Sequence, residues 1–254
     1  MASRAFELRE LFHLAFLRLL APRLRGRPYA VKGGICLRFF HRSSRLSEDI
    51  DLDVSSRVPM KTLQNSVDTV LEARALRSIL TSLGLMTLEF TKPKQTETVQ
   101  RWKVGLIVGE TRIPTKIEFS RRNERIESEV GIPDRDILNH YRQSGFAAPY
   151  YGAPAMAAQK ILALASPGRN AVRDLFDLHH LLTFLKTDPH PAVAELGNAI
   201  LQGAAAKIKT FSTADFAEQV LPYLTAELMS LYSDSAAFEA VKSETLRSLK
   251  GEMP

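Results

Sequence analysis

Apolar and polar positions change their rhythm twice along this chain. Near the start, Leu8, Leu11, Phe12, Ala15 and Leu19 recur at the spacing of one face of an amphipathic helix. A breaker stretch rich in arginine (Arg23, Arg25, Arg27) runs from Pro22 to Pro28, and Tyr29-Ala30-Val31 then reads as a short strand entering Gly33-Gly34. Residues 35–40 are apolar enough to start a helix behind that turn, residues 43–45 read as loop, and 50–54 as the next strand. Residues 60–83 carry helical periodicity that ends near Gly84, and 86–90 look strand-like. Segments 100–108 and 113–119, either side of Gly109-Glu110, predict an antiparallel hairpin.

Beyond Gly145 the strand signals nearly vanish. Residues 156–165, 171–185 and 192–201 each show helical spacing, and more helix is expected after Thr213. The pattern therefore predicts an α+β chain: a mixed-sheet domain with its N-terminal helix over residues 1–148, then a helical domain over 149–254. At 254 residues, 45% hydrophobic and 24% charged, the chain has ample material for both cores and no composition of disorder. A single cysteine, Cys36, excludes an internal disulfide framework and a cysteine-rich zinc site, and fits a reducing cytoplasm. The apolar run 11–17 is too short to span a membrane, is interrupted by Arg18, and follows acidic and basic residues unlike a signal peptide. A cytoplasmic monomer with no membrane partner is expected. The net charge of +6 argues mildly for a polyanionic partner.

The chemistry concentrates in Ser47-Glu48-Asp49-Ile50-Asp51-Leu52-Asp53. Side chains alternate along a strand, so Asp49, Asp51 and Asp53 would share a face, where they repel unless metal, solvent or basic neighbours neutralise them. Hard oxygen ligands suit Mg²⁺ or Mn²⁺, and two such ions can activate an attacking hydroxyl and stabilise a leaving pyrophosphate. Asp-x-Asp alone also occurs in sugar-nucleotide glycosyltransferases, in phosphatases and on solvated strand edges. Gly33-Gly34 upstream sharpens the picture, because glycines turn tightly and leave their N–H groups open to phosphate oxygens. Arg45 and Ser47 could add donors to a triphosphate, with a loop cap the alternative for Ser47.

A second cluster lies on helices. Asp174 and Asp177, three apart, share a helix face that His180 continues, while Leu175, Leu178, Leu181 and Leu182 supply apolar contacts. Lys160, one helix earlier, could reach nucleotide phosphates as a point charge. The alternative is structural: Arg173 with Asp177, or Lys160 with Asp174, fixing two helices together; His180 reads as a packing residue. In Lys116-Ile117-Glu118-Phe119-Ser120, Lys116 and Glu118 share a strand face and could be a plain surface pair. Lys92, Lys94, Arg101, Lys103, Arg121, Arg122 and Arg125 cluster beside the strands, as solvated ends or as a groove for RNA phosphates. Trp102, Tyr150 and Tyr151 could stack on bases, although such aromatics more often pack.

Residues 29–54 resemble the first motif of the DNA polymerase β-like nucleotidyltransferases, and more narrowly the AbiEii/AbiGii toxin family of type IV toxin–antitoxin and phage-defence systems. The resemblance rests on Gly33-Gly34, on Arg45-Leu46-Ser47-Glu48-Asp49-Ile50-Asp51-Leu52, on Lys160, and on Arg173-Asp174-Leu175-Phe176-Asp177. As ordered motifs it spans about residues 29–185. It implies a polymerase-β-like domain in which Asp49 and Asp51 hold Mg²⁺ or Mn²⁺ and Gly33, Gly34, Arg45 and Ser47 cradle a nucleoside triphosphate. Lys160 would steady the phosphates and Asp174 would orient it or the incoming hydroxyl, with Lys116, Arg173 and Asp177 in support. Members often use a third acidic residue from a neighbouring strand as ligand or base, for which Glu118 is the candidate. The implied reaction is transfer of a nucleoside monophosphate to RNA, with a tRNA 3′ end as acceptor and a cognate antitoxin as partner. A nucleotidyltransferase acting on protein or a small molecule, or a noncatalytic RNA-binding module, stays open as the alternative.

Overall fold

The architecture is taken from a computed structural model, which describes residues 2–82, 87–187 and 196–251. The chain divides into two compact units, Met1–Arg42 with Ser47–Tyr151, and Ser43–Leu46 with Gly152–Pro254. Among the described residues no helix is long and apolar enough to cross a membrane.

The first unit is built on seven strands: β1 (Tyr29–Lys32), β2 (Ile50–Val54), β3 (Thr87–Gln95), β4 (Val99–Val108), β5 (Thr111–Ser120), β6 (Glu129–Gly131) and β7 (Ala148–Tyr150). They lie in the order β3-β4-β5-β2-β1-β7-β6. The sheet is mixed, since β2 runs parallel to β5 and β1 parallel to β7 while the other neighbours are antiparallel. The expected hairpin about Gly109 is β4–β5, and Gly109 takes the positive φ of 58° that its turn requires. The helix expected over 60–83 is instead two, α3 (Met60–Leu71) and α4 (Arg74–Thr81). Ala73 leaves the helical region at ψ 133°, and both segments pack on the N-terminal helix. Leu83, Gly84 and Met86 lie outside the described residues.

That N-terminal helix, α1 (Ala2–Leu20), departs from the expected amphipathic stripe. Every residue from Leu8 to Leu17 is buried, including Arg9, Glu10 and His13. The polar side chains are tolerated because each meets a partner far away in sequence. The Arg9 guanidinium donates to the Pro114 carbonyl at 2.9 Å and pairs with Glu48 at 3.2 Å, and Glu10 accepts from Arg38 at 2.6 Å and from the Tyr141 hydroxyl at 2.8 Å. His13 Nε2 lies 2.8 Å from the Thr115 hydroxyl, which itself donates to the Glu48 carbonyl at 2.7 Å. The hydroxyl proton being spent on Glu48, His13 must donate its Nε2–H. Among the described residues Nδ1 then has no partner. Helix α1 is thus tied to β5 and to the carbonyl one residue ahead of Asp49.

The second unit is helical, as its spacing predicts: α6 (Ala153–Ala165), α7 (Val172–His179), α8 (Asn198–Thr210), α9 (Thr213–Gln219), α10 (Ala226–Tyr232) and α11 (Ser235–Leu249), with α5 (Arg135–His140) belonging to the first unit. Helix α7 widens into one π turn, His180–Phe184. Of the helix expected over 192–201, residues 192–195 lie outside the described residues. Phe176, Phe216, Phe238 and Tyr232 interlock at the centre, with ring centroids 4.7–6.2 Å apart.

Burial, with Arg9 adding to it, lowers the His13 pKa to about 3, well below the ordinary 6.5. Between those two values the unfolded chain binds a proton that the folded chain refuses, so stability falls as pH falls, by at most about 1.4 kcal/mol per pH unit. His13→Gln, which keeps a donor, is expected to give a shallower loss in urea titrations between pH 6.5 and 4; identical slopes would refute this.

Candidate active site

Strand register assembles the site. β1 lies antiparallel to β2 with Lys32 opposite Asp51, and β2 lies parallel to β5 with Asp51 opposite Glu118. Lys32, Asp51 and Glu118 therefore form one row across a sheet face. At the end of β1 the chain turns through Gly33, whose φ is +68°. That conformation favours glycine, and a Cβ there would approach an Asp51 carboxylate oxygen to 3.0 Å, a tight contact that Asp51 would have to yield to. Helix α2 (Gly33–Phe40) begins at this turn, and among the described residues no side chain caps its first turn and no acid stands in it. Its leading N–H groups and dipole are available to an anion.

The carboxylates differ sharply in company. Asp53 is buried and fully occupied, accepting from Lys32 at 2.6 Å and from the Tyr151 hydroxyl at 2.9 Å. Asp49 pairs with Lys116 at 3.2 Å, and Glu118 with Arg101 at 2.6 Å. Asp51 is the exception: no described side chain hydrogen-bonds it or closes an ion pair within 4.0 Å. Burial, with Asp49 and Glu118 adding repulsion, raises its pKa above the ordinary carboxylate value, while Lys116 and Lys32 oppose the shift. Ser47 donates its hydroxyl to the Asp49 carbonyl at 3.2 Å and so braces that residue.

Among the described residues no group of three or more His, Cys, Asp or Glu stands ready to hold a metal ion unaided. The expected set of Asp49, Asp51 and Glu118 is thus not a preformed cage, since Arg101 and Lys116 draw two of the three carboxylates to themselves. The donor set still fits Mg²⁺. That ion keeps several waters and takes one or two carboxylates plus substrate phosphates in preference to an all-protein cage. Asp51, desolvated and without a partner, is the oxygen donor such an ion would relieve.

Arg45 and Lys160, both expected at nucleotide phosphates, are paired with carboxylates of their own unit. Arg45 belongs to the helical unit and donates to both Asp177 oxygens, at 2.7 and 2.8 Å, and to the Leu46 carbonyl at 3.1 Å. The Lys160 ammonium donates to Asp174 at 2.8 Å and to Asp177 at 2.7 Å, and Arg169 closes on Asp174 at 2.7 Å. All but Arg169 are buried. Burial alone would raise the Asp177 carboxyl, but Arg45 and Lys160 hold it far below the usual range; Asp174 is likewise lowered, through Lys160 and Arg169. The Lys160–Asp174 pair is the structural alternative foreseen from the sequence. Arg173 is exposed and Asp177 takes Arg45 in its place, while His180 stacks on Phe184. The network clamps Ser43–Leu46, the segment that leads directly into Ser47 and Asp49.

The basic cluster by the strands is also partly spent. Lys92 pairs with Asp68, Arg101 with Glu118, and Arg121 turns inward to the carbonyls of Val58 and Glu97. Lys94, Lys103, Arg122 and Arg125 are exposed. Trp102 is fully buried, Tyr150 stacks on Phe40 with centroids 4.4 Å apart, and Tyr151 holds Asp53. Lys32 is the residue sequence reasoning passed over. Its signal was the β1–β2 register, which places it opposite Asp51.

Comparison with known proteins gives the family and the fold. The sequence matches the family described as nucleotidyl transferase AbiEii toxin, type IV toxin–antitoxin system, over residues 15–244. Among solved structures, JHP933 from Helicobacter pylori is similar with a TM-score of 0.55 and 22% identity, over 96% of this chain and 94% of that one. A candidate nucleotidyltransferase from H. pylori is similar with a TM-score of 0.56 and 20% identity, over 94% and 95%. No functionally curated protein matches the sequence.

Two substitutions separate the roles of these carboxylates. Asp51→Asn removes a partly desolvated charge that Lys116 and Lys32 offset only in part, so thermal unfolding should shift upward by on the order of 1 kcal/mol, about 2–4 °C, while activity is lost. A lower melting temperature would show that the carboxylate is structurally compensated. Arg45→Met leaves Asp177 buried with half its partners gone and should cost about 3–5 kcal/mol in chemical denaturation; a change below about 1 kcal/mol would contradict the clamp.

Proposed function

Because the chain belongs to the AbiEii nucleotidyltransferase toxin family of type IV toxin–antitoxin systems, we propose that it moves a nucleoside monophosphate from a nucleoside triphosphate to RNA in a metal-dependent reaction, with a tRNA 3′ end as the acceptor. The observation that carries the reading is the unpartnered Asp51 carboxylate lying against Gly33, beside the open first turn of α2. Asp49 and Asp51 would hold Mg²⁺ or Mn²⁺, which when bound supplies positive charge to the phosphates and to the attacking oxygen. The Gly33 and Gly34 N–H groups receive the phosphate chain, and Ser47 keeps the Asp49 backbone in place. An acceptor hydroxyl oxygen attacks the α-phosphorus, a new P–O bond forms, and the bond to the leaving pyrophosphate breaks. Glu118, opposite Asp51 and hydrogen-bonded by Arg101, would take the hydroxyl proton.

Arg45, Lys160, Asp174 and Asp177 act in this reading by position, fixing the chain ahead of Ser47. The net charge of +6 and the exposed Lys94, Lys103, Arg122 and Arg125 support a polyanionic acceptor. Membership of a type IV toxin–antitoxin family supports a cognate antitoxin.

Incubation with each α-labelled nucleoside triphosphate, Mg²⁺ and total RNA tests the proposal. Label should enter RNA of tRNA size and be absent with Asp51→Ala. Label on protein would redirect the acceptor, and no turnover with any acceptor would overturn the reaction itself.

A further inference from the structure

Strand β6 ends the sheet, and no described strand pairs with its outer side. The Tyr151 N–H donates to the Val31 carbonyl, so residues 149 and 151 turn their backbone groups toward β1. Ala148 and Tyr150 then face β6, where they pair with Gly131 and Glu129. Val130, opposite Pro149, must direct its N–H and C=O outward to the open edge. The same residue is 70% exposed, and Ile132, just past the strand, is 63% exposed. Folded proteins shield such edges with charge, proline or a covering element, and an apolar open edge marks a surface awaiting a partner.

Beside that edge is a concavity of about 540 Å³ whose lining includes Val130, Phe146 and Pro149 together with Arg18, Arg25 and Arg27. No carboxylate lines it among the described residues. Glu129, next in sequence, turns its carboxylate to the Tyr150 hydroxyl at 2.9 Å. The pocket abuts Tyr29, the first residue of β1, whereas Asp51 lies opposite Lys32, the last. It is therefore separate from the catalytic corner.

We infer that the β6 edge and its arginine-lined pocket form a docking surface for an extended acidic segment of a partner protein, one that alternates carboxylates with small apolar side chains. Such a segment adds a strand through Val130, sets its apolar side chains on Val130 and Ile132, and places carboxylates against the three arginines. RNA would satisfy the arginines yet gain nothing from the exposed valine and isoleucine. A second copy joined edge to edge would set one cluster of arginines against another.

The test uses the full chain and a fluorescent peptide of alternating glutamate and valine, with a lysine–valine counterpart and an RNA hairpin as comparators. The acidic peptide should bind, slow hydrogen exchange in residues 129–132, and lose at least about tenfold in affinity with Arg25→Glu and with Val130→Pro. Equal binding of the lysine peptide, or no acidic-peptide binding, overturns the inference. So does hairpin binding through Arg25 without peptide binding, or a dimer broken by Val130→Asp. Nucleotidyl transfer by the Arg25→Glu protein should be unchanged, which keeps this result distinct from any failure of the reaction proposed above.

Discussion

An Asp51 carboxylate oxygen occupies space that a Cβ on Gly33 would enter to 3.0 Å, and the rest of the candidate site follows from that approach. The contact brings a carboxylate against the start of a helix whose first N–H groups are free to receive an anion. It also leaves Asp51 only partly exposed, without supplying a hydrogen-bond donor. Natural structures seldom leave a desolvated carboxylate so poorly served unless a ligand or ion completes it. The neighbouring charges respect the exception: Lys32 is drawn to Asp53, Lys116 to Asp49 and Arg101 to Glu118, which leaves Asp51 open.

The helical unit solves the opposite problem. Asp177 and Asp174 are buried as deeply as any carboxylate among the described residues, yet each is met by two cations. Such a network adds little net stability over apolar packing, but it tolerates the loss of no single member. Its value lies in specification. A bidentate arginine fixes direction as well as distance, and here it fixes the four residues that precede Ser47.

Much of this was legible in the chain. Short apolar or alternating runs marked β1, β2, β4 and β5, and Gly33-Gly34 and Gly109 marked the turns that follow β1 and β4. The Gly33–Asp51 corner could be named because glycine and carboxylate both carry local signals. β6 and β7 could not, being three residues long, with Pro149 interrupting one of them. α1 looked amphipathic because Arg9, Glu10 and His13 read as polar; their partners at Pro114, Tyr141 and Thr115 stand more than a hundred residues away. The pairing of Arg45 with Asp177 was not legible for the same reason, since nothing local announces a partner at a separation of 132 residues. Lys32 required knowledge of register, which a sequence pattern does not contain.

The central claim is that Asp51, held against Gly33, is the oxygen donor that binds divalent metal together with a triphosphate. Titration of Mn²⁺ by electron paramagnetic resonance, with a non-hydrolysable nucleoside triphosphate present, tests it most directly. Wild-type protein is expected to bind the ion, Asp51→Asn and Gly33→Ala to lose that binding while remaining folded, and Asp53→Asn to retain it. Undiminished Mn²⁺ binding by Asp51→Asn would contradict the account.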